Sequence, residues 1–208
     1  MSGPEKSIDF SLPTVLFGGT FDPVHQGHLH VAREALKALP EAKQLVFVPA
    51  WHSPGKKPAC ASPASRLSWV RMVAEPAGFG VWDLEVRRGG PESYTVDTLE
   101  AAHRLGASAE KLWWLLGADA YAGFSRWKNP ARIRQLARLL VVARPGQSIL
   151  PQETADRILS VPLHPASSTE IRAHLAKGEV NLEWLPPPLR QAISEVLPDQ
   201  NPYATNKE

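Results

Sequence analysis

The sequence predicts an α/β fold, a doubly wound parallel sheet with a C-terminal helical segment. Three observations predict it. Short apolar runs rich in β-branched residues alternate with amphipathic helical patterns. Two of the runs, LWWLL at 112–116 and ARLLVVA at 137–143, are nearly continuous, as strands buried on both faces are. The chain's 20 prolines sit between such runs and mark loops.

The elements follow in order. A strand over 14–17 runs into Gly18-Gly19, and a helix over 28–39 puts Leu29, Ala32, Leu36 and Leu39 on one stripe before Pro40 closes it. Strands are expected at 44–48, 80–84, 112–116, 139–143 and 157–161. Helical patterns lie at 66–73, 96–105, 131–135, 170–176 and 189–196. There is no internal repeat and no low-complexity tract. The length suits a single domain over 1–197, and the polar stretch 198–208, with two more prolines, reads as a flexible tail.

Composition narrows the function classes. An apolar share of 43% and a charged share of 21% are those of an ordinary globular protein. A net charge of +2 is too small for a nucleic-acid coat or a polybasic membrane patch, so neither partner is expected. Cys60 is the only cysteine, which excludes an internal disulfide and a cysteine-rich metal site. No apolar run approaches the roughly 20 residues that span a bilayer. The opening MSGPEKSIDFSLP lacks the apolar core of a signal peptide, so a cytoplasmic protein is expected. Homo-oligomerisation is left open.

The chemistry concentrates where the first strand meets the first helix, in Gly18-Gly19-Thr20-Phe21-Asp22-Pro23-Val24-His25-Gln26-Gly27-His28. A strand-loop-helix unit aims backbone N–H groups and the positive helix end at one spot, where an anion can sit. Glycines without Cβ let a phosphate approach the backbone, and Thr20 adds a hydroxyl. His25 and His28, three residues apart, can turn both rings to one point, donating to phosphate oxygens or, when protonated, offsetting charge on leaving pyrophosphate. Two histidines without a third ligand at fixed spacing make a poor zinc site. A second unit, Ser167-Ser168-Thr169-Glu170-Ile171-Arg172, opens another helix about 140 residues later. Ser167 and Glu170 have capping-box spacing, and a capped helix needs no ligand. Arg172, however, is a cation in the first turn, against the helix dipole, and a bound polyphosphate reverses the sign of that effect.

GGTFDPVHQGHL resembles the signature of the nucleotidyltransferase superfamily marked by His-x-Gly-His, with His25, Gly27 and His28 in the matching positions. SSTEIR resembles its second signature through Ser168, Thr169 and Arg172. The resemblance implies a Rossmann-like fold of nucleotidyltransferase type and a nucleotidyl group moved from a triphosphate to a phosphate acceptor. It covers roughly residues 14–197. PESYTVDTL at 91–99, LLGADAYAGFSRW at 115–127 and VVARPG at 141–146 are similar to nicotinate mononucleotide adenylyltransferases. That likeness implies adenylyl transfer from ATP, with Mg2+, to nicotinate mononucleotide, giving deamido-NAD in NAD biosynthesis. The alternatives are the same chemistry on nicotinamide mononucleotide or phosphopantetheine, or a catalytically silent nucleotide-binding module.

The resemblance implies catalytic roles for His25, His28 and Arg172, and ATP contacts for Gly18, Gly19, Thr20, Phe21, Gly117, Asp119, Ser168 and Thr169. For the acceptor it implies Lys56, Tyr94, Thr95, Trp127 and Arg144. Trp127 lies in a polar loop, where an indole can stack on a pyridine ring, whereas Trp113 and Trp114 have a core-like context. Tyr94 and Thr95 begin a helix whose N–H groups can take a carboxylate, or Thr95 is simply an N-cap. Asp119 is either a ribose contact or a helix cap. One region departs from the family pattern: Ser53-Pro54-Gly55-Lys56-Lys57 has Gly55 where a histidine is common. The loop over 51–63 reads as a mobile cover.

Overall fold

A computed structural model describes residues 8–143, 149–162, 164–180 and 182–204. The first half runs β1 (Thr14–Gly19), α1 (Gln26–Ala38), β2 (Gln44–Pro49), α2 (Pro63–Ala74), β3 (Gly80–Val81), α3 (Leu84–Arg88) and α4 (Thr95–Arg104). The second half runs β4 (Leu112–Gly117), α5 (Ala118–Ala122), a 3-10 turn at Phe124–Arg126, α6 (Pro130–Leu136), β5 (Arg138–Ala143), β6 (Arg157–Ser160), α7 (Ser168–Ala176) and α8 (Pro187–Gln200). These strands form one sheet in the order β3-β2-β1-β4-β5-β6, every pairing parallel. The chain builds outward from β1 to β3, then crosses back to lay β4 beside β1. The strand order therefore reverses between β1 and β4, and the loops leaving their carboxyl ends diverge to open a crevice.

Both faces of the sheet are covered, which explains the continuous apolar runs. Val15, Leu45, Phe47, Trp113, Leu115 and Leu140 point to one side and pack with α1, α2, α7 and α8 through Leu29, Val70, Ile171 and Leu189. Leu16, Val46, Leu112, Trp114, Leu116 and Leu139 point to the other and pack with α4 and α6 through Leu99 and Ile133. Local signals set the helix starts. Ser62 caps α2 by accepting from the Ser65 N–H at 3.1 Å, with Pro63 at the first helical position. Asn129, in left-handed backbone at φ 52°, caps α6 through the Arg132 N–H at 3.3 Å.

Two expectations need correction. The strand expected over 80–84 pairs only at Gly80–Val81, because Asp83 is drawn aside by Arg71 at 3.0 Å and Arg87 at 2.7 Å and the chain turns into α3. The segment from 198 is not a frayed tail as far as residue 204. Helix α8 continues to Gln200, and Tyr203 is 5% exposed, with its ring stacked on Trp69. Burial of that aromatic surface is what holds the segment down.

Candidate active site

The glycine-histidine segment sits at the carboxyl end of β1. Gly18 and Gly19 are the last two residues of the strand, paired with Val48 and Pro49, rather than loop residues. A Cβ on Gly18 would lie 2.3 Å from the Trp114 ring, and one on Gly19 would lie 2.8 Å from the Phe21 ring. Aromatic packing thus demands glycine here, and it leaves the bare backbone facing the crevice. Thr20 shares a 2.8 Å hydrogen bond between its Oγ1 and Ser53 Oγ, which ties the loop after β2 to this one. Phe21 is buried, at φ 51°, and meets the His28 ring edge-on at 5.0 Å. Its side chain is core, so it can offer a nucleotide only its backbone.

His25 holds the N-cap position of α1 and His28 lies in its first turn, ring centroids 3.8 Å apart. The His25 backbone N–H donates to His28 Nδ1 at 3.2 Å. That fixes the neutral His28 tautomer: Nδ1 accepts, so Nε2 carries the hydrogen and can donate. Burial pushes His25 down to about 4, helped by the nearby His164. Burial and His25 push His28 well below the usual imidazole range as well. Both rings are therefore neutral donors at neutral pH, not the cations that the sequence also allowed. Gly27 is needed between them, since a Cβ would lie 3.0 Å from the His25 ring and 3.3 Å from the Ala166 carbonyl.

That Ala166 contact already belongs to the second unit. Ser167 caps α7, accepting from the Glu170 N–H at 3.2 Å as the capping-box spacing suggested. Ser168 donates its hydroxyl to the Pro23 carbonyl at 3.3 Å. Arg172 donates to the Asp22 carbonyl at 2.8 Å and to Thr169 Oγ1 at 3.2 Å. Both acceptors are neutral oxygens, so neither cancels the guanidinium charge. The two helix starts, far apart in sequence, therefore meet at Asp22-Pro23. His164, which sequence reasoning missed, lies beside them: its Nδ1 accepts from the Ala166 N–H at 3.1 Å and its ring is 5.9 Å from that of His30.

A cavity of about 710 Å³ opens from the β1–β4 crevice. Gly18, Gly19, Lys56, Tyr94, Thr95, Asp119 and Trp127 all line it. Trp127 is half-buried and packs against Phe124 at 5.4 Å. Tyr94 is the N-cap of α4 and makes no side-chain cap bond, so Thr95 is the first helical residue rather than the cap. The first N–H groups of a helix lack the partners of its interior, and the α4 start at Tyr94 and Thr95 lies on the cavity wall. Lys128 lies 4.4 Å above the Tyr94 ring and 3.2 Å from Asp97. Gly117 ends β4 and holds the N-cap of α5, so Asp119 is not that cap; both are exposed. Trp114, assigned to the sheet, does lie in β4 but also lines the cavity. Arg144 falls outside the described residues.

The loop over 51–63 is anchored at both ends rather than free to move as a whole. Trp51 donates its N–H to Ser93 Oγ at 2.9 Å, Ser93 donates its N–H to the His52 carbonyl at 2.8 Å, and Cys60 and Ala61 donate to the Asp22 carboxylate at 2.7 Å and 3.2 Å. The middle, residues 54–58, is exposed throughout, as are Trp51, Cys60 and Ser62 nearer the ends. Gly55 has φ +68°, a left-handed conformation that glycine adopts without the strain a side chain brings.

Sequence reasoning also missed the groups that hold this framework. Arg66 is 0% exposed and donates to the carbonyls of Ala61 at 3.2 Å, Thr20 at 2.6 Å and Trp51 at 2.8 Å. Glu85, buried at the cavity wall, accepts from the Thr98 hydroxyl at 2.5 Å; burial pushes its carboxyl up, against hydrogen bonds from Thr98 and Ser93. No local spacing signals these residues, because their partners are remote in sequence.

The cytidylyltransferase-like family model matches residues 16–174. A relative from Neisseria meningitidis serogroup C, named "probable nicotinate-nucleotide adenylyltransferase", is 38% identical over 194 residues, covering 86% of this chain and 94% of its own length. One of the same name from Thermus thermophilus is 42% identical over 171 residues, covering 82% and 90%. Among solved structures, nicotinic acid mononucleotide adenylyltransferase of Plasmodium falciparum, complexed with NaAD, has the same fold. Its TM-score is 0.63 at 16% identity, covering 86% of this chain and 93% of that one.

Proposed function

The chain belongs to the cytidylyltransferase-like family and, within it, to the nicotinate-nucleotide adenylyltransferases; from that premise we propose how its residues divide the work. The protein transfers the adenylyl group of ATP to nicotinate mononucleotide, giving deamido-NAD and pyrophosphate in NAD biosynthesis. An oxygen of the acceptor's 5′-phosphate attacks the α-phosphorus in line, the bond from that phosphorus to the bridging oxygen breaks, and pyrophosphate leaves with the electron pair. The attacking phosphate is already anionic, so no strong protein base and no covalent intermediate are required. Orientation and charge neutralisation carry the catalysis.

In this reading His25 and His28 donate to the phosphates from one side, while Ser168, Thr169 and Arg172 hold them from the other. Gly18, Gly19, Thr20 and the Phe21 backbone border the triphosphate, and Gly117 and Asp119 meet the adenosine. One observation carries it: Ser168 and Arg172 hydrogen-bond the carbonyls of Pro23 and Asp22, within the segment that bears His25 and His28. A triphosphate leaving either helix start meets the other. The acceptor ring lies on Trp127, its carboxylate at the N–H groups of Tyr94 and Thr95, and its phosphate near Lys56, with Arg144 as a further cation.

Mg2+ arrives with ATP as part of the substrate. No cluster of three or more metal-ligating side chains occurs among the described residues, and an ion held chiefly by phosphate oxygens and water needs none. No described helix is long and apolar enough to cross a membrane. A cytoplasmic setting agrees with the lone free Cys60. The test is an acceptor panel with ATP and Mg2+, following pyrophosphate and dinucleotide. Nicotinate mononucleotide should be used far better than nicotinamide mononucleotide or phosphopantetheine. A preference for either of the others would overturn the acceptor assignment, and no turnover despite tight ATP binding would favour a silent binding module.

A further inference from the structure

The adenylyltransferase reading gives no role to Asp22 or to the segment around Tyr203, yet the two meet behind the phosphate site. We propose that Tyr203 is a positioning residue for ATP, acting through the Asp22 carboxylate to hold the two phosphate-binding helix starts in register. Asp22 is 4% exposed, two residues after Thr20 and three before His25. Its Oδ1 accepts the Tyr203 hydroxyl at 3.0 Å and the Ala61 N–H at 3.2 Å, and its Oδ2 accepts the Cys60 N–H at 2.7 Å. Its backbone carbonyl takes the Arg172 guanidinium at 2.8 Å, and the next carbonyl takes Ser168 at 3.3 Å. One residue therefore joins the histidine segment, the start of α7, the end of the acceptor loop and the C-terminal segment.

Tyr203 is built to deliver its hydroxyl there. Its ring stacks on Trp69 of α2 at 6.4 Å, and its backbone N–H donates to Asn201 Oδ1 at 2.9 Å, while the Asn201 side chain donates to the Leu175 carbonyl of α7 at 3.0 Å. Burial and the Asp22 charge keep the phenol protonated, so it always donates. Asp22 also interacts with the buried Arg66, and Arg172 lies close enough to act on the Tyr203 hydroxyl. A carboxylate that loses the Tyr203 donor turns toward one of these guanidiniums for a replacement. Turning toward Arg172 draws that cation back from the phosphates and weakens ATP binding, while the acceptor side is disturbed less, because the Cys60 and Ala61 backbone N–H groups at the end of the 51–63 loop stay on the carboxylate.

Tyr203→Phe tests this, since it removes one oxygen and keeps the stacked ring. Calorimetry should give an Mg-ATP Kd raised about 5–10-fold, a nicotinate mononucleotide Kd within about twofold of wild type, and a lowered kcat, each measured well below the variant's own melting midpoint. Trp69→Leu is the structural control: it removes the stacking partner but keeps the hydroxyl, and should lower the midpoint more than Tyr203→Phe does while raising the ATP Kd less. In Asp22→Asn, adding Tyr203→Phe should cost little more, because the acting group is already altered. An unchanged ATP Kd in folded Tyr203→Phe, an equal weakening of both substrates, or full additivity with Asp22→Asn would overturn the proposal. The ATP Kd does not depend on which acceptor is used, so failure of the acceptor assignment would leave this result standing.

Discussion

Lowering the pH of the nucleotide-free protein should expose what burial does to His25. The residue is 6% exposed and held at about 4, against an ordinary value of 6.5, chiefly by burial. Above about pH 6.5 neither folded nor unfolded chain binds the proton, and His25 contributes no pH dependence. Between about pH 6.5 and 4 the unfolded chain takes up a proton that the folded chain refuses, so stability falls as the pH falls. Below about pH 4 both states are protonated and the loss is complete. At about 1.4 kcal/mol per unit, the loss is roughly 2 kcal/mol at pH 5 and about 3 kcal/mol when complete. For a chain of this length, 2 kcal/mol lowers the melting midpoint by roughly 4–8 °C. The assay is urea unfolding of wild type and His25→Asn from neutral pH to about pH 5, where the difference between the proteins cancels acid effects common to both. The variant should lose about 2 kcal/mol less. Bound triphosphate raises the imidazole pKa by its charge, so ATP binding near pH 5.5 should take up protons, readable by calorimetry in buffers of different ionisation enthalpy. Equal pH slopes in the two proteins, or a His25 ring signal titrating near 6.5, would refute the reasoning.

Gly18→Ala forces a Cβ to within 2.3 Å of the Trp114 ring, so it should destabilise by about 1–3 kcal/mol, read from urea midpoints, and Trp114→Leu in the same chain should restore much of that loss. Trp127→Ala removes the half-buried indole from the cavity wall; steady-state kinetics should give a KM for nicotinate mononucleotide raised roughly 10–100-fold, with the KM for ATP nearly unchanged.

The features that could be read along the chain are those whose physics is local. The strand-to-helix step at Gly18–His28 and the Ser167–Arg172 cap each declare a helix start within a dozen residues, and the apolar runs declare a sheet covered on both faces. Trp127 was readable because an indole between Arg126 and Lys128 is out of place in a core. What could not be read depends on contacts across the fold. Gly18 is glycine because of Trp114, a residue nearly a hundred positions away. Arg66 looks like an ordinary helix cation until its three carbonyl acceptors converge on it. Tyr203 lies among polar residues and prolines that promise fraying, and only Trp69 and Asp22 make a burial site for it. The strand expected over 80–84 is cut short at Val81, because its apolar pattern carries no trace of the Arg71 and Arg87 contacts that turn Asp83 aside into α3.

In the proposed reaction two distant helix starts hold one triphosphate during adenylyl transfer, with His28 donating from Nε2. Single-turnover formation of the dinucleotide by His28→Ala tests it most directly. The transfer rate should fall by about two to three orders of magnitude, with the melting midpoint retained and the ATP Kd changed by less than about tenfold. A folded His28→Ala protein that forms dinucleotide at nearly the wild-type rate would contradict it.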